Sequence, residues 1–127
     1  MSKGMEKGLD IAFQLNGRDD RNTVLALADL TGNFFATHLD IQWRVFHVTL
    51  GDQKYYRILF TGKGTGRLHP GVHREIREKF DALSHMKFSD LMKLYEEQRR
   101  MAGFLNSRII DLKEEYDLWQ DRLWDYI

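Results

Sequence analysis

The chain has 127 residues, no cysteine, and 19 basic against 19 acidic side chains, so its formal charge is zero. That length suffices for a single domain, residues 1–127, that buries a core without disulfides or metal, and the missing thiols exclude a disulfide scaffold, a thiolate nucleophile and a cysteine-ligated zinc. Met1 to Gly8 carries lysines but no apolar run, so neither a signal peptide nor a membrane span is expected, and the default setting is cytoplasmic.

Residues 1–7 read as a flexible tail. Leu9, Ile11, Phe13 and Leu15 then alternate with Asp10, Ala12 and Gln14, the period of a half-buried strand. Gly17 and the charged run Arg18-Asp19-Asp20-Arg21 read as a loop. The next run is ambiguous. Its alanines and leucines favour helix, but the shortness of Thr23 to Leu30 and the turn-like Thr31-Gly32-Asn33 favour a strand, with Phe34 to Thr37 pairing back on it.

From Ile41 to Thr61 two β-branched and aromatic runs flank Leu50-Gly51-Asp52-Gln53, and glycine first in a two-residue loop suits a type II′ turn. Pairing Leu50 with Gln53 sets Trp43 opposite Phe60, Val45 opposite Ile58 and His47 opposite Tyr56 on the core face. The other face then carries Arg44, Phe46, Val48, Tyr55, Arg57 and Leu59. Residues 8–62 are thus expected to form an antiparallel meander of about five strands. Gly62, Gly64 and Gly66 follow, and Pro70 opens a helix over 70–84 whose stripe is Val72, Ile76, Phe80 and Leu83.

The strongest periodicity lies in the last third. Phe88, Leu91, Tyr95, Gln98, Ala102, Leu105, Ile109, Leu112, Tyr116, Trp119, Leu123 and Tyr126 keep a seven-residue beat in which only Gln98 is plainly polar. This predicts a long amphipathic helix over 88–126. Unbroken, it would approach about 60 Å, against a radius of gyration of about 14 Å for a domain of this size. It therefore projects towards a partner or breaks, and Gly103 is the natural breakpoint. The expected fold is α+β: the meander, a short helix, then the long C-terminal helix.

Charge is unevenly placed. Lys54, Arg57, Lys63, Arg67, Arg74, Arg77 and Lys79 face only Glu75 and Glu78 in their stretch, whereas the chain from Asp111 onward carries six acids against Lys113 and Arg122. Such polarity points to an anionic partner for one region and a basic partner, or the opposite end of a second copy, for the other. In the glycine-rich loop, backbone N–H groups can approach an anion, and Lys63, Arg67 and Arg74 add charge. The spacing is neither that of a P-loop nor that of a dinucleotide fold. The hairpin set Arg44, Phe46, Tyr55 and Arg57 reads as a stacking platform with a cationic border, the arrangement used on single-stranded nucleic acid.

His69 and His73 have an i,i+4 spacing, but no acidic ligand accompanies them and no metal is expected. There is no nucleophile elbow or paired-carboxylate loop, so neither a catalytic set nor a cofactor is expected. At the C-terminal end, Tyr116, Trp119, Leu123, Trp124 and Tyr126 sit among acids, and tryptophan and tyrosine are common interface anchors. The expected function is a non-enzymatic binding or adaptor protein that meets a protein partner, or a second copy, through this acidic-aromatic helix. The alternative is a single-stranded nucleic-acid binder using the hairpin face and the loop.

Overall fold

The computed structural model describes residues 6–14, 20–64, 66–101 and 108–114. In chain order these form β1 (Glu6–Lys7), β2 (Leu9–Phe13), α1 (Asp20–Ala36), β3 (Ile41–Leu50), β4 (Gln53–Gly62), β5 (Arg67–Leu68), α2 (Pro70–Ser84), α3 (Phe88–Arg100) and β6 (Ile109–Glu114). The architecture is mixed α+β. One four-stranded sheet has the order β2-β4-β3-β6, and β1 pairs with β5 in a separate two-stranded ladder, so Glu6 and Lys7 are paired rather than a tail.

The hairpin has the register its turn predicts, with Leu50 against Gln53, Trp43 against Phe60 and Val45 against Ile58. Gly51 has φ 61°, and no residue other than glycine has a positive φ among those described, so only the first loop position is left-handed. That is the signature of a type II′ turn. Antiparallel pairing of β4 with both β2 and β3 makes β2 and β3 parallel to each other, and α1 supplies the crossover such strands need.

Two sequence expectations fail here. The run Thr23 to Ala36 is a helix, not a strand pair. Val24, Ala26, Leu27, Ala28, Thr31 and Gly32 are all buried, because α1 is packed by β3 on one side and by α2 and α3 on others. A helix enclosed all round has no polar face and hence no 3.6-residue period to read. The sheet is also not a pure meander, since β6 lies parallel to β3 with Val45 beside Ile109 and Val48 beside Leu112.

The long C-terminal helix fails for a different reason, a false period. Helix α3 ends at Arg100, where Met101 takes an extended conformation at ψ 135°, and Ile109–Glu114 is a strand. Phe88, Leu91, Tyr95 and Gln98 are truly helical, whereas Ile109 and Leu112 only continued the beat by coincidence. In the strand, Ile109 packs against the core, and Ile110 pairs with Phe46. The expected breakpoint, Gly103, lies outside the described residues.

The core joins Ile11, Trp43, Val45, Ile58 and Phe60 of the sheet to Leu27 of α1, Ile76 and Phe80 of α2, and Leu91 and Tyr95 of α3. Gly32 of α1 packs against Trp43 of β3. A Cβ built there would fall inside the Trp43 indole, so the ring lies against bare backbone.

Candidate binding site

At the end of β4 the chain turns through Lys63 and Gly64 into β5 and then α2. An open cavity of ≈ 290 Å³ lies there, lined by Leu39, Asp40, Ile41, Gly62, Lys63, Arg67, Leu68, His69 and Val72. Its floor is aliphatic because Leu68 and Ile41 belong to the core and Leu39 and Val72 pack on its margin. Its rim is charged. The Lys63 ammonium stands 3.8 Å from the Asp40 carboxylate, and both side chains are more than half exposed.

The backbone of this region is largely committed. Lys63 N–H donates to the Asp40 carbonyl at 3.0 Å, and Gly66 N–H to the Gly62 carbonyl at 2.9 Å. Pro70 brings no N–H to the start of α2, Gly71 N–H donates to His69 Nδ1 at 3.1 Å, and Val72 and His73 both donate to the His69 carbonyl. The helix therefore caps itself, and cation side chains, not a cradle of amides, are what the cavity offers. Since Nδ1 of His69 accepts, its neutral ring carries the hydrogen on Nε2.

Lys63 and Arg67, singled out from sequence, thus meet at one cavity. Arg74 is exposed on α2 and does not line it. Arg44, Phe46, Tyr55 and Arg57 lie on the opposite face of the sheet, so the seven residues do not form one surface. Nor does that face hold an open platform. Phe46 is wholly buried, and so are Val48 and Leu59. Arg57 donates from Nε to Asp10 Oδ1 at 2.9 Å and closes a second contact from Nη2 to Oδ2. Burial pushes its pKa down to about 10, which still leaves it cationic at neutral pH. Arg44 is exposed but donates to the Trp43 carbonyl at 3.0 Å, and Tyr55 is half-buried.

A second polar cluster is buried in the core, and sequence reasoning missed it. Asp29 is fully buried; its Oδ1 accepts from Trp43 Nε1 at 3.0 Å and its Oδ2 from the Tyr95 hydroxyl at 2.6 Å. One carboxylate thereby ties α1 to β3 and α3. Burial, then the hydrogen bond and negative charge of Asp29, push the Tyr95 phenol well above its ordinary range, with Arg99 pulling weakly the other way. The available signal was an aspartate inside the apolar run from Val24 to Leu30, since a charge in an all-apolar element requires a partner.

At the other end of the sheet, Asp111 of β6 takes contacts from Arg21 at 3.4 Å and from His47 at 3.3 Å. Among the described residues no group of three or more His, Asp or Glu side chains is placed to hold a metal, and no helix is long and apolar enough to cross a membrane. His69 and His73 form no such group. Tyr116, Trp119, Leu123, Trp124 and Tyr126 lie outside the described residues.

Residues 5–127 match the sequence profile of DUF2004, described as a protein of unknown function. The chain belongs to the DUF2004 family. No curated protein matches it. DUF2004 membership covers both the cavity and the Asp29 cluster, and its description assigns neither of them a role.

Proposed function

We propose that this protein is a non-enzymatic binding module that associates with another protein, or with a second copy of itself, through the acidic-aromatic residues that follow β6. The observation that carries this reading is the position of β6. It is the terminal strand in the order β2-β4-β3-β6, and its parallel ladder to β3 is braced by Arg21 and His47 on Asp111. Tyr116, Trp119, Leu123, Trp124 and Tyr126 follow this edge strand in the sequence, and large amphipathic anchors of that kind are useful to a partner. The burial of Phe46 and the engagement of Arg57 by Asp10 weigh against the alternative, a nucleic-acid platform on the hairpin.

The test pairs two double variants with light scattering and a binding assay on single-stranded DNA. Trp119→Ala with Trp124→Ala is expected to dissociate the assembly, and Lys63→Glu with Arg67→Glu to leave it intact. The opposite pattern, with DNA binding lost in the charge reversal and no assembly in the wild type, would sink the reading in favour of nucleic acid.

A further inference from the structure

We propose that the sheet face turned away from the helices is the docking surface for residues 115–127 of the same chain. Side chains alternate along β3 and β4, and Trp43, Val45, Ile58 and Phe60 belong to the core shared with α1, α2 and α3. Phe46, Val48 and Leu59 point the other way and lie outside that core, yet each is 0% exposed. Their neighbours in register are Arg57 and Ile110 for Phe46, Tyr55 for Val48, and Arg44 and Asp10 for Leu59. Such neighbours shield a side chain laterally and leave its outer end in water, so complete burial requires a covering element. The described helices and Leu68 of β5 join the core on the first face, and β1 brings only Glu6 and Lys7. The cover therefore comes from residues outside those described. It comes from the chain itself, since the burial is that of a single copy. It is also a strip rather than a full layer, because Arg44 and Ala12 on the same face are exposed.

Composition and connectivity select the segment. Residues 1–5 offer only Met1 and Met5 as large apolar groups, and residues 15–19 only Leu15, on the way from β2 to α1. Residues 102–107 carry Phe104 and Leu105 but are held at both ends, by α3 on the core face and by β6. Residues 115–127 supply Leu118, Trp119, Leu123, Trp124 and Ile127. They also start in the right place. Glu114 stands beside Leu50, and from there to Arg44 along β3 is about 20 Å. Thirteen residues reach about 20 Å as a helix and about 40 Å extended, so either conformation passes over Val48, Phe46 and Leu59. In one respect this rests on the association reading: the aromatic residues offered to a partner are those that the sheet holds in a lone chain. A partner then has to take them from Phe46 and its neighbours.

The chain has no cysteine, so one introduced thiol carries a nitroxide at a single known place. Gln120→Cys is the first site and Asp121→Cys the second, both polar positions between the two tryptophans, in the full chain. Amide resonances are compared with the nitroxide oxidised and reduced, and the reduced spectrum reports that the fold is kept. In the first sample the labelled chain is isotope-enriched and diluted with excess unenriched wild type. In the second the labelled chain is unenriched and the wild type enriched. The first sample is expected to lose most of the intensity of Phe46, Val48, Arg57 and Leu59 while Arg74 and Arg77 of α2 keep theirs, and the second to lose none. Intact Phe46 and Leu59 resonances in the first sample, for both labelled sites, would overturn the proposal. Losses confined to the second sample would overturn it too, by making a second copy the occupant. Light scattering on the wild type separates the two readings. Assembly with no loss at the sheet sinks this proposal alone, and loss at the sheet in a chain that meets no partner leaves it standing without the association reading.

Discussion

Replacing Tyr95 by Phe removes one oxygen from a core in which the Asp29 carboxylate accepts from Trp43 and Tyr95. The packing barely changes, so the cost is that of a buried hydrogen bond to a charged acceptor, about 1.5–3 kcal/mol. At about 4 °C per kcal/mol for a chain of this length, the thermal midpoint should fall by roughly 6–12 °C. The pH dependence adds a sharper check. The native phenol is held above its ordinary value, so above about pH 10 the unfolded chain releases a proton that the native chain keeps. Stability then falls with pH, by up to about 1.4 kcal/mol per unit, until the native phenol ionises as well. Arg57 titrates in the same window with the opposite sign, but it is common to wild type and variant and cancels in their difference. Urea denaturation followed by far-ultraviolet circular dichroism should show a constant gap between Tyr95→Phe and wild type below pH 10 and a narrowing gap above it. A variant within about 0.5 kcal/mol of wild type at neutral pH, or a gap that widens in alkali, would refute the view of Asp29 as the tie between α1, β3 and α3.

Gly32→Ala gains helix propensity of about 1 kcal/mol but drives a methyl group into the Trp43 indole, whose Nε1 is already fixed by Asp29. A net loss of about 1–3 kcal/mol with a changed near-ultraviolet tryptophan signal is expected; a stabilised variant would show that the ring can move away. Arg57→Ala should cost more than the double variant with Asp10→Ala, because the single change strands a carboxylate only 18% exposed, a penalty approaching about 3 kcal/mol. Additive losses in a double-mutant cycle would mean that the pair is not coupled.

The elements with one wet face were legible from sequence. In the hairpin, Gly51-Asp52 set the register, and in α2, Pro70 marked the start while Ile76, Phe80 and Leu83 marked the buried stripe. What was illegible had either no wet face or a false one. Helix α1 lost its period because α2, α3 and the sheet enclose it, and the heptad through Ile109 and Leu112 persisted across a change from helix to strand. Periodicity reports exposure contrast, not backbone conformation, so it fails wherever tertiary structure removes that contrast. The same failure hid the site chemistry. Arg44, Phe46, Tyr55 and Arg57 alternate correctly along their strands, yet Phe46 is fully buried and Arg57 serves Asp10. Lys63 and Arg67 converge only because Gly66 N–H closes the turn on Gly62. Basic residues selected from sequence thus separate by place: Arg57 lies in the sheet against Asp10, and Lys63 and Arg67 line a solvent-open cavity at the turn.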